Sequence, residues 1–364
     1  MGLKKLILNI MLRICNVFVK LRPIQKDKIA FVSLESKHLE SDLKLIYNAL
    51  DQKKYRLVSV LTSFEKNSLW MNFLYLINTI KQIFIINTSA LVIINDNNYV
   101  ISNFKRKGVK VLQVWHAAGA IKKFGNVIPR EYTIANYDYV LCNGEYWKKP
   151  YSEAFGVEEN QVIVTGMPRL DCLCDEQFLK KARQELYQRY PELKDKKIIL
   201  YAPTFRGNIV QGMKKVDMNI RWLIKQLGED YAFLYKMHPL LKTENLSDDR
   251  RIYNMNKENL HSLFSITDVL ISDFSSVVFD FSLLNKPIYY YVPDLEEYLG
   301  DRGCFLPYQQ LMEECMAKNE EQLLELIRNG EKGNEEKLRN AYLDYSDGKN
   351  LDRTIMFIEK VMNL

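Results

Sequence analysis

The stretch Leu270-Ile271-Ser272-Asp273-Phe274-Ser275-Ser276-Val277-Val278-Phe279-Asp280-Phe281 decides the fold, because an apolar run ends there in hydroxyls and then resumes at helical spacing. Val269-Leu270-Ile271 is apolar on both faces, as a parallel strand covered on both sides requires. Ser275-Ser276 then fall where a helix start exposes unpaired N–H groups. Those groups, with the helix dipole behind them, attract an anion. The same residues also suit an ordinary structural cap, so the surrounding segments must separate the two readings.

Working outward, strand and helix patterns alternate. Strands are expected at Gln161–Thr165, Lys197–Tyr201, Tyr231–Lys236, Val269–Ser272 and Pro287–Val292 in the second half. In the first half they fall at Lys28–Ser33, Arg56–Leu61, Ala90–Ile94, Val109–Val114 and Tyr137–Cys142, with a helix near Leu39–Leu50. Such alternation predicts parallel sheets with crossover helices. A length of 364 residues, 47% hydrophobic and 12% aromatic, suits two cores. Two doubly wound domains facing each other would leave a cleft at their strand ends. The expected divisions are 1–22, a basic amphipathic helix; 23–158, an N-terminal Rossmann-like domain; 159–345, a C-terminal Rossmann-like domain; and 346–364, a helix crossing back.

The net charge of +6 is local: residues 1–30 carry Lys4, Lys5, Arg13, Lys20, Arg22, Lys26 and Lys28 against Asp27 alone. A neutral body with a basic N-terminal extension argues against a nucleic-acid partner and for attraction to an anionic membrane surface. Leu3, Leu6, Ile7, Ile10, Ile14, Val17, Phe18 and Leu21 recur at spacings of three and four, opposite Lys5, Asn9, Arg13, Asn16 and Lys20. Because the roughly 20 unbroken apolar residues of a span are lacking, this helix is expected to lie in the interface of the cytoplasmic leaflet, making the protein peripheral. A helix packed on the protein body is the competing reading. A second apolar stretch runs from Leu69 to Ile86, with Lys81 and Gln82 inside it. The six cysteines show no repeated CxxC, so neither a zinc site nor a disulfide framework is expected, and no cofactor is indicated.

Chemistry gathers at strand ends. His116 follows a strand and precedes the small-residue turn Ala117-Ala118-Gly119-Ala120, and His238 follows Lys236-Met237 before Pro239. A histidine so placed is a candidate base near neutral pH. Thr204 and Arg206 end another strand, and Arg169 follows Gly166-Met167-Pro168. Arginine suits bidentate phosphate binding. With Lys236, Ser275 and Ser276 these residues make an anion site, for which a diphosphate is the expected ligand. No phosphate-binding P-loop, dinucleotide fingerprint or nucleophile elbow occurs, and Asp248-Asp249, followed by Arg250-Arg251, reads as a solvated turn.

These residues resemble the CDP-glycerol glycerophosphotransferases of teichoic acid and capsule synthesis. The likeness rests on Val114-Trp115-His116 with Lys122-Lys123-Phe124-Gly125, Gly166-Met167-Pro168-Arg169-Leu170-Asp171, Tyr201-Ala202-Pro203-Thr204-Phe205-Arg206, His238-Pro239, and Ile271 through Asp280. It implies an α/β, GT-B-like fold of two facing Rossmann-type domains, with CDP-glycerol as donor and an undecaprenyl-linked saccharide as acceptor. It also implies His116 as base, His238 against the transferring phosphate, and Arg206, Ser275 and Ser276 on the donor phosphates. Asp280 matches a motif position; Arg169, Lys122 and Lys123 suit an acceptor or a structural role. Ala117-Ala118-Gly119 is more similar to the short priming members, and the lack of a long appended domain points the same way. CDP-ribitol as donor, a nucleotide-sugar glycosyltransferase and an inactive membrane scaffold are the alternatives, and the oligomeric state is left open.

Overall fold

Runs rich in Val, Ile, Leu and Tyr become strands here because crossover helices cover both faces of each sheet, so that neither face needs polar residues. The computed structural model describes residues 3–63, 69–204, 206–208, 212–214, 216–237, 248–330 and 333–363. Two units result, one of Met1–His116, Phe124–Arg169 and Lys349–Leu364, the other of Ala117–Lys123 and Leu170–Gly348.

The first unit holds β1 (Gln25–Ser33), β2 (Arg56–Leu61), β3 (Ser89–Ile94), β4 (Lys110–Gln113), β5 (Tyr139–Cys142) and β6 (Val162–Val164). All pair in parallel, in the order β2-β1-β3-β4-β5-β6. Ile29, Phe31, Leu91, Ile93, Leu112 and Leu141 share one face, as period two requires, and pack with Leu43 and Ile46 of helix Ser41–Ala49. Ile358 and Val361 of helix Asn350–Met362 complete this core. The β6 segment, expected to open the second domain, is instead the edge strand of the first sheet. Its pairing with β5 carries the first unit through Arg169, past the expected end at 158.

The second unit contains β7 (Lys197–Tyr201), β8 (Arg206–Asn208), β9 (Gly212–Lys214), β10 (Tyr231–Tyr235), β11 (Ile252–Asn254), β12 (Val269–Ser272), β13 (Ile288–Tyr291) and β14 (Met316–Ala317). Seen from the sequence, β11 and β14 are too short for a period to register. The parallel sheet runs β11-β10-β7-β12-β13-β14, and β8 with β9 forms a separate antiparallel ribbon. In each sheet the strand order reverses once, between β1 and β3 and between β7 and β12. Ligand crevices of open parallel sheets lie outside the strand carboxyl ends at such reversals.

Helix Leu3–Lys20 packs on helix Leu69–Asn87. Leu12 and Val19 are buried, whereas Ile10, Ile14, Val17 and Phe18, with Leu21 just beyond, are exposed. Phe73, Leu74 and Ile77 of the second helix are exposed as well. Among the described residues no helix is long and apolar enough to cross a membrane.

Candidate active-site residues

In the first unit the site grows from Gln113, the last residue of β4 and fully buried. Its Nε2 donates to the Asp96 carbonyl at 2.7 Å, and its Oε1 accepts from Trp115 N at 2.8 Å. One amide thus ties the carboxyl end of β4 to the turn after β3. Trp115 adopts a left-handed backbone with φ of 55°, uncommon for a bulky residue. Ring packing holds it there: Trp115 stacks on Phe124 at 4.7 Å and lies against His116 at 3.9 Å. Gly125, with φ of 69°, follows Phe124 because a Cβ there would come within 2.2 Å of the Ala154 carbonyl oxygen.

His116 is half exposed, and its Nδ1 lies 3.0 Å from Glu35 Oε1 and 3.2 Å from the Asn95 carbonyl. Both neighbours are acceptors, so the proton is assigned to Nδ1, leaving the Nε2 lone pair able to take another. Behind this pair, Asp96 Oδ2 accepts from Leu34 N, while Oδ1 is buried without a partner. Burial pushes the Asp96 carboxyl up to about 7, against the pull of the Leu34 N–H, with Glu35 adding to the rise.

Arg169 is engaged elsewhere. Its backbone N and Nη1 donate to the two oxygens of buried Asp42, at 2.7 and 2.6 Å, a joint between the turn after β6 and helix Ser41–Ala49. Of the two roles expected for it, this geometry is the structural one.

In the second unit, every residue of 270–282 except Ser275 and Ser276 is buried. Ser276 N-caps helix Val277–Ser282 without a side-chain bond, and Ser275 Oγ reaches Val277 N at 3.5 Å. Thr204, just after β7, donates its N–H to Asp273 Oδ1 at 2.8 Å and accepts at Oγ1 from Lys122 Nζ at 3.1 Å. Lys122 is thereby beside the β7–β12 reversal. Its segment is stitched to this unit by Lys123 N donating to Gly303 O and Phe305 N to Ile121 O.

Arg206 is held by two carboxylates. Its Nη1 lies 2.8 Å from Asp273 and its Nη2 3.0 Å from Asp294, and the guanidinium sits over the stacked rings of Phe274 and Tyr298. Burial holds the Asp273 carboxyl above the usual range, opposed by the charge of Arg206. This guanidinium is therefore engaged by protein partners on both its edges and its face. Lys236 Nζ donates to the Asn256 and Glu258 carbonyls at 3.0 and 2.7 Å, which makes it a clamp on the loop after β11, away from the expected phosphate role. Asp280 likewise faces a protein partner, His261 Nε2 at 3.1 Å, while Cys172 Sγ is 3.7 Å from His261 Nδ1. His238 lies outside the described residues.

Glu35, Asp96, Gln113, Asp294 and His261 were not singled out by the sequence. Glu35 had one available signal, since it stands just past a strand end like His116. Among the described residues no group of three or more His, Cys, Asp or Glu side chains could hold a metal ion.

A family model described as CDP-Glycerol:Poly(glycerophosphate) glycerophosphotransferase matches residues 14–360. A teichoic acid ribitol-phosphate primase of Bacillus spizizenii is 29% identical over 94% of this chain and 93% of its own. A teichoic acid glycerol-phosphate primase of Bacillus subtilis is 32% identical over 79% and 78%. A poly(ribitol-phosphate) polymerase of Bacillus spizizenii is 32% identical, but only 56% of its length is matched. Among solved structures, the wall teichoic acid polymerase TagF superposes with a TM-score of 0.73 at 21% identity, over 99% of this chain and 97% of the other. A UDP-GlcNAc 2-epimerase of Methanocaldococcus jannaschii gives 0.56 at 15% identity, over 92% and 99%. The fold is α/β and GT-B-like, built of two Rossmann-type domains with parallel sheets.

Proposed function

The chain belongs to the CDP-glycerol:poly(glycerophosphate) glycerophosphotransferase family, and from this premise we propose that it transfers glycerol phosphate from CDP-glycerol to a hydroxyl of a lipid-linked saccharide or growing teichoic acid or capsule chain, releasing CMP. The observation that carries this reading is His116, presented beyond β4 with Nδ1 held by two acceptors.

In the proposed step the acceptor hydroxyl gives its proton to His116 Nε2 while its oxygen attacks the phosphorus bearing glycerol. The bond from that phosphorus to the bridging oxygen of the diphosphate breaks, and CMP leaves with the electron pair. Such transfers depend mostly on positioning and on stabilising the charge of the phosphoryl oxygens. Ser275, Ser276, Thr204 and Lys122 are the groups proposed to meet the donor phosphates, with Arg206 framing them through Asp273 and Asp294. His238 keeps its proposed role against the transferring phosphate on the motif alone. Lys236 and Asp280 are assigned to framing, since each is engaged by protein partners.

His116→Ala is expected to lower CMP release by ~10²–10⁴-fold, the range of general-base catalysis, with donor binding retained. CMP release at the wild-type rate by that variant would overturn the assignment. CDP-ribitol is the second reading, favoured by the ribitol-phosphate primase that matches nearly end to end. A panel of CDP-glycerol, CDP-ribitol and UDP-sugars scored by nucleotide release separates these donors from one another and from a nucleotide-sugar glycosyltransferase; silence with all of them would support an inactive scaffold.

The protein is further proposed to sit peripherally on the cytoplasmic face of the membrane. Support comes from the exposed row Ile10, Ile14, Val17, Phe18 and Leu21, edged by exposed Arg13, Lys20 and Arg22.

A further inference from the structure

We propose that Glu35 is the positioning residue for His116, fixing which imidazole nitrogen is free to take the acceptor proton and stabilising the ring once it is charged; this rests on the reading of His116 as the base. Strands β1, β3 and β4 lie side by side in the sheet, and Glu35, Asn95 and His116 stand just beyond their carboxyl ends. Glu35 Oε1 is 3.0 Å from His116 Nδ1, and its Oε2 accepts from Asn95 Nδ2 at 2.9 Å. With both oxygens engaged, the carboxylate has a fixed orientation and is not a freely rotating surface charge.

The backbone beneath it is fixed too. Asp96 accepts from the N–H of Leu34, the residue before Glu35, and the Asp96 carbonyl is in turn held by Gln113. A single buried scaffold therefore supports both members of the pair.

The proton account follows from the two nitrogens. Before reaction Nδ1 bears the hydrogen, shared between Glu35 and the Asn95 carbonyl, and Nε2 is unprotonated. As the acceptor hydroxyl transfers its proton to Nε2, the ring becomes an imidazolium whose Nδ1–H faces a carboxylate. That proton returns to solvent after product leaves. Glu35 and His116 are 41% and 47% exposed, so an ion pair between them adds little to folding stability. Its effect is expected in the rate, where an oriented and charge-matched histidine counts for more than one held by the Asn95 carbonyl alone.

The experiment uses the full chain as Glu35→Ala, Glu35→Gln and His116→Ala. CMP release is measured with CDP-glycerol and a synthetic lipid-linked disaccharide, alongside ¹⁵N spectra of the imidazole nitrogens, which four histidines keep readable. Glu35→Ala is expected to lower kcat on the order of tenfold, to leave the donor KM unchanged, and to turn the His116 pattern from Nδ1–H into a mixture of tautomers. Glu35→Gln retains an accepting oxygen, so it is expected to keep the Nδ1–H pattern and lose less rate, which also controls for folding. Wild-type kcat in Glu35→Ala, or a lower rate with the His116 nitrogens unchanged, would overturn the proposal. An active His116→Ala would instead defeat the base reading itself, so the two failures are distinguishable.

Discussion

Asp96 carries the largest local electrostatic tension beside His116. Its carboxyl is pushed up to about 7 in the folded chain by burial, against an ordinary value of 3.8. Because the folded value is the higher, the folded state holds the proton between these limits. The stability this group confers is therefore complete below about pH 4 and is lost as pH rises through about 7. One such proton gives a slope of about 1.4 kcal/mol per pH unit. Asp96→Asn, isosteric and neutral, should flatten that fall when urea midpoints are compared at pH 5 and pH 7.5; parallel pH dependence in the two proteins would refute it. At this scale the sequence is half legible. His116, Thr204 and the serine pair announce themselves by residue type at a strand end. Glu35, Asp96 and Gln113 do not, because their roles arise from pairing β1, β3 and β4 side by side, and no single segment records that. Arg206 and Asp280 are legible as motif members, yet their partners Asp294 and His261 come from distant parts of the chain.

At the scale of elements, the N-terminal helix divides its apolar residues between two environments. Leu12 and Val19 are fully buried, whereas Ile14, Val17 and Phe18 face outward. Burying one such side chain is worth roughly 1.5–3 kcal/mol, so seating Phe18 in a bilayer interface changes partitioning by about tenfold or more. Phe18→Asp should therefore shift the protein from sedimenting anionic liposomes to the supernatant by about that factor, and deletion of residues 1–22 should shift it further. Equal sedimentation of all three proteins would remove the membrane reading. The helix was readable because its period is long and regular. That it has two apolar faces was not, since amphipathicity alone does not say which residues meet protein and which meet solvent. The strands of both sheets were readable as apolar runs, but the membership of β6 was not. An edge strand of three residues is assigned by its register with β5, and register is a property of the pair.

At the scale of the molecule, the first unit is assembled from three separated segments, and helix Asn350–Met362 contributes Ile358 and Val361 to the same core as Ile29, Phe31 and Leu91. Ile358 is fully buried, so Ile358→Ala should cost about 2–5 kcal/mol through lost burial and the cavity left behind. The loss should be confined: amides of β1, β3 and β4 should exchange faster with deuterium, while those of β7 and β12 stay protected. Uniform acceleration across both sheets would show that the two units unfold as one.

Helix Asn350–Met362 also imposes an order on synthesis. A ribosome makes β1 through β6 first, then Leu170–Gly348 of the second unit, and only afterwards the helix that adds Ile358 and Val361 to the core of Ile29, Phe31 and Leu91. During that interval the second unit has everything it needs to close, whereas the core of the nascent first unit lacks Ile358 and Val361 for the time taken to translate 170–348. Chaperone capture and proteolysis during translation should accordingly fall on the earliest-made half of the polypeptide.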